Sequence, residues 1–205
     1  SITIPSSVTK IGYEAFSRAS SSESPFEAVY IEDLSHWCSI EFSTSGVESS
    51  NPFYYAKRLY VGGELHSGDL EIPEGVTNIS ARAFYNCDWI ERVTIPASVK
   101  TISTEAFENC GSLKEVVIES SDTVIESYAF DSCGSLKNVT MPKNVCASSD
   151  SMQSAFNGTY SGITNVVVLP GVTEIGQDVF YGFNSLESIT IPSSVTKIGY
   201  EAFSR

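Results

Sequence analysis

The 205-residue sequence lacks the features of several functional classes. It has 12 Lys and Arg residues against 25 Asp and Glu residues, a net charge of -13. Such an acidic surface repels phosphate backbones and anionic lipid headgroups. No apolar run approaches the ~18 residues of a membrane-spanning helix, and the first residues do not form a secretory signal. We therefore expect no nucleic-acid partner and no membrane insertion of this segment.

Motifs for catalysis and metal binding are also missing. The only histidines are His36 and His66, and the sequence has no Cys-x-x-Cys pair or Cys/His spacing suited to zinc. It has no Gly-x-Ser-x-Gly elbow, phosphate-binding loop or calcium loop. His36 lies two residues from Cys38, which would suit a cysteine nucleophile, but residues at this spacing on a helix face different directions. We predict no enzymatic activity, no cofactor and no metal.

The five cysteines are an odd number, which argues against a disulfide framework in a chain of this length. Cys87, Cys110 and Cys133 are spaced 23 residues apart, and each follows a phenylalanine by three residues. A small, weakly polar side chain at this position can stack on its counterpart in the next repeat. We predict that these three are buried free thiols, whereas Cys38 and Cys146 lie outside the register.

The dominant property of the chain is its self-similarity. Residues 1–18 recur without change as residues 188–205. Phenylalanines follow one another at intervals of 23, 23, 26, 24 and 23 residues, at Phe84, Phe107, Phe130, Phe156, Phe180 and Phe203. A period of this length is typical of a solenoid of stacked coils. Because the chain begins and ends within repeats, we expect a fragment of a longer array, with uncapped coils that associate end to end at high concentration.

A single repeat, residues 110–130, shows how each coil is built. Val116 and Ile118 alternate with Val117, which is the period of a short strand. In most coils a proline follows the strand at once or after one residue and ends it. Two inward apolar residues come next, in a tight turn or short extended arc, followed by a Glu-Ala-Phe element. We predict one short strand per coil and a continuous inner row of phenylalanine rings.

These positions form the motif Cys-x-x-Leu-x-x-Val-x-Ile-Pro-x-x-Val-x-x-Ile-x-x-x-Ala-Phe. Residues 87–107 satisfy it nearly completely, and residues 110–130 and 183–203 satisfy it well. The pattern resembles the BspA-like, treponemal-type leucine-rich repeats of bacterial and protist surface proteins. The resemblance implies a right-handed superhelix with short parallel strands on one face, a mostly irregular or short-helical convex side, and an extracellular or cell-surface location. Three extra residues before Phe156, and Thr159 in a cysteine position, depart from the pattern.

We predict a single solenoid over residues 1–205, with an enlarged, irregular repeat over 19–72 and regular repeats over 73–205. The irregular part resembles the enlarged repeat that such arrays sometimes carry. We expect Asp33 to cap a short helix there, and the two glycines after Val61 to form a turn that leads back to a strand over residues 70–72. Eight of the 23 aromatic residues lie in this part, at Phe26, Tyr30, Trp37, Phe42, Phe53, Tyr54, Tyr55 and Tyr60.

The aromatic side chains of the irregular part have two interpretations. They fill a larger coil, or they form a binding protrusion, for which tyrosine and tryptophan are well suited. Tyr30 and Tyr60 occupy the outward middle position of their strands, where other coils mostly have threonine, a residue that β propensity alone would favour. The candidate ligand-binding residues are Tyr30, Tyr60, Trp37, Tyr54, Tyr55, Arg92, Lys114, Thr94, Val117 and Thr140.

The leading hypothesis for function is an adhesin-like interaction module that binds an extracellular protein or glycan through the solenoid face. The resemblance implies the same, since related proteins act as adhesins toward extracellular matrix components. One alternative is a structural spacer that extends another domain from the cell. Another is carbohydrate capture, which requires at least two coplanar exposed rings among Trp37, Tyr54 and Tyr55. The sequence does not identify the ligand.

Overall fold

The structure, a computed structural model, describes residues 1–16, 26–43 and 50–204. Its main feature is a series of short strands, one per coil, that pair with the strand of the next coil. These principal strands are β1 (Ile2–Ile4), β3 (Val29–Ile31), β5 (Leu59–Val61), β7 (Gly68–Glu71), β9 (Ile90–Ile95), β11 (Glu115–Ile118), β13 (Asn138–Met141), β14 (Asn165–Val168) and β16 (Ser188–Thr190). The predicted start of the enlarged repeat at residue 19 lies outside the described residues.

The principal strands form two sheets. The first has four strands in the order β1-β3-β5-β6, where β6 spans Glu64–His66, and the second has six in the order β7-β9-β11-β13-β14-β16. Every pair is parallel except β5 with β6, which form a hairpin. Its turn consists of Gly62 and Gly63, with φ of 57° and 92°, values that favour glycine. The predicted glycine turn is confirmed, but the strand that returns is β6, whereas residues 70 and 71 belong to β7 in the second sheet. The hairpin divides the strand face into two parts.

A second set of strands, two residues each, pairs on another side of the coils. These are β2 (Lys10–Ile11), β4 (Glu41–Phe42), β8 (Asn78–Ile79), β10 (Thr101–Ile102), β12 (Val124–Ile125), β15 (Glu174–Ile175) and β17 (Lys197–Ile198). They form the sheets β2-β4, β8-β10-β12 and β15-β17. The short extended arc that the sequence predicts is therefore a second ladder. Ile79, Ile102 and Ile125 pair in register along it and are buried, so each regular coil contributes apolar side chains from two strands.

One coil replaces the short strand by two helices, α2 (Lys143–Ala147) and α3 (Ser149–Ala155), followed by a 3-10 helix over Tyr160–Gly162. This is the coil with three extra residues before Phe156. The side chain of Asn144 accepts a hydrogen bond from the amide of Ile125 at 3.3 Å and donates one to its carbonyl at 2.8 Å. A single amide group thus completes the edge of β12, because it offers a donor and an acceptor as a backbone residue would.

The third side of the regular coils consists of turns joined by a backbone ladder. The Phe84 amide donates to the Ala106 carbonyl, and the Phe107 amide donates to the Ala129 carbonyl, both at 2.8 Å. Asn109 lies in one of these turns and has a φ of 60°. This is a left-handed conformation that asparagine adopts more readily than most residues. Neighbouring coils are therefore hydrogen-bonded on all three sides.

The predicted inner row of phenylalanine rings is present in two segments, so the prediction that it is continuous was wrong. Rings stack in parallel from Phe84 through Phe107 and Phe130 to Phe156, with centroid separations of 5.1, 5.3 and 5.3 Å. Within the described residues the stack stops at Phe156 and resumes with Phe180 on Phe203 at 5.1 Å. Apolar side chains around it form one continuous core cluster that includes residues of both sheets.

All five cysteines are buried free thiols, as predicted for the three in register. The Cys110 thiol donates to the Phe84 carbonyl and the Cys133 thiol to the Phe107 carbonyl, both at 3.2 Å. Thr159 occupies the same place in the next coil, where its hydroxyl donates to the Phe130 carbonyl at 2.9 Å. The cysteine position thus links the side chain of one coil to the backbone of the coil before it.

Candidate functional site

The first helix of the enlarged repeat is α1 (Leu34–Ser39). Asp33 caps this helix, as predicted, because its carboxylate accepts hydrogen bonds from the amides of Ser35 and His36 at 3.1 Å. A 3-10 helix follows over Pro52–Tyr54, and the side chain of Asn51 caps it by accepting from the Phe53 amide at 2.8 Å.

Trp37 does not line the surface, and its prediction as a ligand-binding residue was wrong. The side chain is 0% exposed, and its indole N–H donates to the Ala83 carbonyl at 2.9 Å. Asn51 donates to the same carbonyl at 3.3 Å. In regular coils the corresponding carbonyl accepts from a phenylalanine amide of the preceding coil. Trp37 and Asn51 supply these donors for the first regular coil, which requires that both be buried.

Tyr54 and Tyr55 do not form the expected flat platform. Their ring centroids lie 4.8 Å apart, but the ring planes are at 85° to each other. Perpendicular rings cannot both stack on one sugar face. With Trp37 buried, the coplanar arrangement expected for carbohydrate capture by these three residues is not found.

Tyr30 and Tyr60 do meet on the outward face of the four-stranded sheet. They are paired residues of β3 and β5, and their rings stack at 4.5 Å with planes 11° apart. Both are half-buried. Thr3 pairs with Tyr30 on one side, and Leu65, which is 49% exposed, pairs with Tyr60 on the other. The result is a row of aromatic and apolar side chains across the sheet.

A cavity of about 250 Å³ opens where β3 and β5 begin. Phe26, Glu27, Tyr55, Lys57 and Arg58 line it, so it combines two rings, two cations and one carboxylate. Lys57 also reaches Asp88 at 3.4 Å. The predicted site residues include none of Phe26, Glu27, Lys57 and Arg58. One feature of the sequence does point to this cavity: Lys57 and Arg58 are the only adjacent basic residues in this acidic chain.

The other predicted residues lie in the six-stranded sheet, separate from Tyr30 and Tyr60. Thr94 pairs with Val117 in register, and the Thr140 hydroxyl donates to the Ile118 carbonyl at 3.1 Å.

The two predicted cations of this sheet bind carboxylates of neighbouring coils. Arg92 contacts Glu115, and Lys114 contacts Glu91, each at 2.6 Å. The predicted set therefore falls into two groups, and in the second group the side chains of Arg92, Lys114 and Thr140 bind other coils of the same chain.

The environment of Cys38 does not favour nucleophilic chemistry. Burial, together with the nearby Asp33, raises the pKa of the Cys38 thiol to about 12, so the thiol is protonated at neutral pH. The ring of His36 hydrogen-bonds to the Val8 carbonyl at 2.8 Å through Nε2. Among residues 1–16, 26–43 and 50–204, no three His, Cys, Asp or Glu side chains form a group suited to a metal ion. None of the helices described there is long and apolar enough to span a membrane.

Stacked coils with a parallel strand face define the leucine-rich-repeat class. The sequence profile of the BspA type leucine rich repeat region matches the chain in six copies, over residues 1–44, 64–159 and 149–205. The chain belongs to this family. A search of curated proteins finds no match.

Several solved structures resemble the chain. A leucine-rich repeat protein from Bacteroides ovatus is 24% identical, with 86% of this chain and 46% of that protein covered and a TM-score of 0.49. The T. pallidum leucine rich repeat protein is 22% identical, with 65% and 73% covered and a TM-score of 0.37. A leucine rich cell surface protein from Faecalibacterium prausnitzii is 22% identical, with 97% and 78% covered and a TM-score of 0.29. The chain thus spans less than half the length of the Bacteroides ovatus protein.

Proposed function

We propose that this chain is an interaction module of a cell-surface or secreted protein, and that it binds an extracellular protein through the four-stranded sheet. The observation that carries the proposal is the stacked pair of Tyr30 and Tyr60 on the outward face, beside an open cavity. Tyrosine offers a large contact area, a polar tip and little conformational entropy to lose, and it is enriched among residues that dominate binding energy. Membership of the BspA-type family supports a role in protein interaction.

Charge supports the same location. The chain carries a net charge of -13, whereas the cavity wall carries two cations, Lys57 and Arg58, beside the carboxylate of Glu27. Asp88 already contacts Lys57 at 3.4 Å, so Arg58 is the cation better placed to meet an acidic group of a partner. A protein partner with an acidic group near an apolar or aromatic anchor would match the cavity and the tyrosine pair together. This chemistry fits an adhesin-like contact.

The six-stranded sheet favours the second candidate function, a spacer. Arg92 and Lys114 pair with carboxylates of neighbouring coils, and the outward row there is mostly threonine and valine. Such a surface stabilises the stack and offers few unengaged groups to a partner. We therefore assign binding to the four-stranded sheet and extension to the six-stranded sheet. The Cys38 thiol is buried and protonated, so it is not a candidate nucleophile.

The test is a binding assay with a Tyr30→Ala/Tyr60→Ala variant on a panel of immobilised extracellular-matrix proteins and on a glycan array. We expect a partner of the unaltered chain to lose about 30-fold or more in affinity, as for a binding hot spot. A Thr94→Ala/Thr190→Ala variant is the matched control, because both threonines hold the equivalent outward position in the six-stranded sheet. Circular dichroism checks that each variant is folded.

Three outcomes would contradict the proposal. Unchanged affinity in the folded tyrosine variant would exclude the tyrosine pair as the site. Binding only on the glycan array would favour carbohydrate capture, and no binding on either panel would favour the spacer.

A further inference from the structure

The coil that contains α2 and α3 contacts the preceding coil differently from the regular coils. Its segment 143–155 is helical and meets the preceding coil at two points. At the first point the Asn144 side chain binds both backbone groups of Ile125, and at the second the Ser154 carbonyl accepts from the Tyr128 amide at 2.7 Å. Between these points no backbone hydrogen bond joins the described residues of the two coils.

A cavity of about 570 Å³ opens between these two points. Its volume is within the ~300–1,000 Å³ that is typical of sites for small molecules. Strand β12 contributes both of its apolar residues, Val124 and Ile125, to the lining. The polar lining residues are Thr104, Glu126, Ser127, Asn144, Ser151 and Ser154. Because polar side chains predominate, the cavity suits a ligand that forms many hydrogen bonds.

Three serine hydroxyls of the cavity wall are available to a ligand. Ser151 and Ser154 belong to α3, whereas Ser127 follows β12 in the preceding coil. No hydrogen bond joins these hydroxyls to another residue of the part of the chain that the structure describes. A hydroxyl group both donates and accepts hydrogen bonds. Each of the three serines can therefore match either a donor or an acceptor of the ligand.

The carboxylate of Glu126 is held in place by the neighbouring coil. Its Oε2 accepts from the Thr104 amide at 2.9 Å and from the Thr104 hydroxyl at 3.1 Å. Its other oxygen, Oε1, has no hydrogen-bond partner among residues 1–16, 26–43 and 50–204. Asn144 donates one N–H to the Ile125 carbonyl and keeps its second N–H for a ligand. The wall thus offers one fixed acceptor and one fixed donor beside the hydroxyls.

The charge of the cavity indicates a neutral ligand. The described lining residues include one carboxylate and no cation. Lys143, which precedes Asn144, pairs with Asp122 at 2.5 Å. A phosphate, sulfate or carboxylate group in the cavity would meet the like charge of Glu126, and like charges that face each other are unfavourable.

We propose that this cavity binds a neutral oligosaccharide. Sugar hydroxyls both donate and accept, so they match the three serine hydroxyls, the second N–H of Asn144 and the Oε1 of Glu126. Val124 is 43% exposed and provides an apolar surface for the C–H groups of a sugar ring. The site is separate from the stacked pair of Tyr30 and Tyr60 and does not depend on the proposed protein contact.

Glycan binding by the full chain and its variants tests the proposal. An array of neutral, sialylated and sulfated glycans is the first probe, and calorimetric titration measures the affinity for the strongest neutral glycan. Ser151→Ala/Ser154→Ala should weaken this affinity about tenfold or more, because two hydrogen bonds to the ligand are lost. Alanine is well tolerated in a helix. Gln153→Ala is the matched control, because Gln153 lies on α3 outside the cavity lining, and its affinity should change less than twofold.

A second variant excludes an effect on the helix itself. Ser127→Ala removes a hydroxyl of the wall opposite α3 and should weaken the same affinity about threefold or more. Circular dichroism checks that each variant is folded.

Several outcomes would overturn the proposal. They are the absence of binding to every neutral glycan, binding confined to sialylated or sulfated glycans, and unchanged affinity in the folded Ser151→Ala/Ser154→Ala variant. Loss of neutral-glycan binding in the Tyr30→Ala/Tyr60→Ala variant would place the glycan on the four-stranded sheet and also overturn it. A protein partner that loses affinity only in the tyrosine variant leaves this proposal unaffected, so the two proposals can fail separately.

Discussion

Replacing Phe107 by leucine tests whether the aromatic stack contributes to stability beyond its burial. Phe107 is fully buried and contacts the rings of Phe84 and Phe130 at 5.1 and 5.3 Å. Leucine keeps most of the apolar area but makes no ring contact. An aromatic pair contributes about 0.5–1.5 kcal/mol beyond its area, so the loss of both contacts should lower the free energy of unfolding by about 1–3 kcal/mol.

The second copy of the repeated sequence provides the comparison. Among the residues that the structure describes, Phe203 stacks on one ring, that of Phe180, at 5.1 Å, so Phe203→Leu should cost about 0.5–1.5 kcal/mol. Urea unfolding followed by circular dichroism measures both values, provided that the m-value is unchanged.

Because Phe107 and Phe203 also differ in burial, a double-mutant cycle isolates the ring contact. Phe107→Leu combined with Phe130→Leu should show a coupling of about 0.5–1.5 kcal/mol. Phe107→Leu combined with Phe180→Leu should be additive within about 0.5 kcal/mol, because those rings are not neighbours in the stack. Zero coupling between Phe107 and Phe130 would refute the contribution of stacking.

Two further predictions concern the side chains that link the coils. Thr159→Val should lower the free energy of unfolding by about 1–3 kcal/mol in urea titrations, because it leaves the Phe130 carbonyl and the Cys133 amide without their partner. Thr159→Cys is the control, because it restores the thiol donor that the other coils have at this position. An equal decrease in unfolding free energy for the valine and cysteine variants would contradict the prediction. Burial raises the pKa of the Cys38 and Cys146 thiols from 9.0 to about 12, so their contribution to stability is complete below pH 9 and is lost as the pH rises toward 12. The unfolding free energy at pH 10.5 should be lower than that at pH 8 by roughly 2 kcal/mol for each thiol. If a Cys38→Ala/Cys146→Ala variant showed the same decrease between these two pH values, the two thiols would not be its cause.

Periodic positions allowed most of the architecture to be predicted. The strand of each coil, the free thiols and the phenylalanine stack follow from residues that recur at fixed spacing and can be buried only if coils lie on one another. The short second ladder was predicted only as a turn or arc, because two residues are too few to show the alternation of a strand. The helices α2 and α3 were not predicted, since an insertion of three residues shows that a coil is longer without showing how the added length folds.

The irregular repeat shows where sequence patterns are insufficient. Tryptophan is a residue type common at binding sites, which is why Trp37 was predicted as a ligand-binding residue. Its burial depends on a carbonyl acceptor at Ala83, 46 residues away in the sequence. Tyr54 and Tyr55 are adjacent in sequence, yet nothing in that adjacency fixes the angle between their rings. Tyr30 and Tyr60 were found because they occupy periodic strand positions. Their stacking confirms the register, whereas their role in binding stays a prediction.

The side chain of Asn144 has an evolutionary consequence. One amide group binds both backbone groups of Ile125 in β12, so a coil can exchange its short strand for helices while this residue of the neighbouring strand keeps its hydrogen bonds. Gene duplication and recombination can then join units of unequal length without redesigning the units beside them. Such an arrangement allows the length of one coil to change while the sequences of the adjoining coils stay the same.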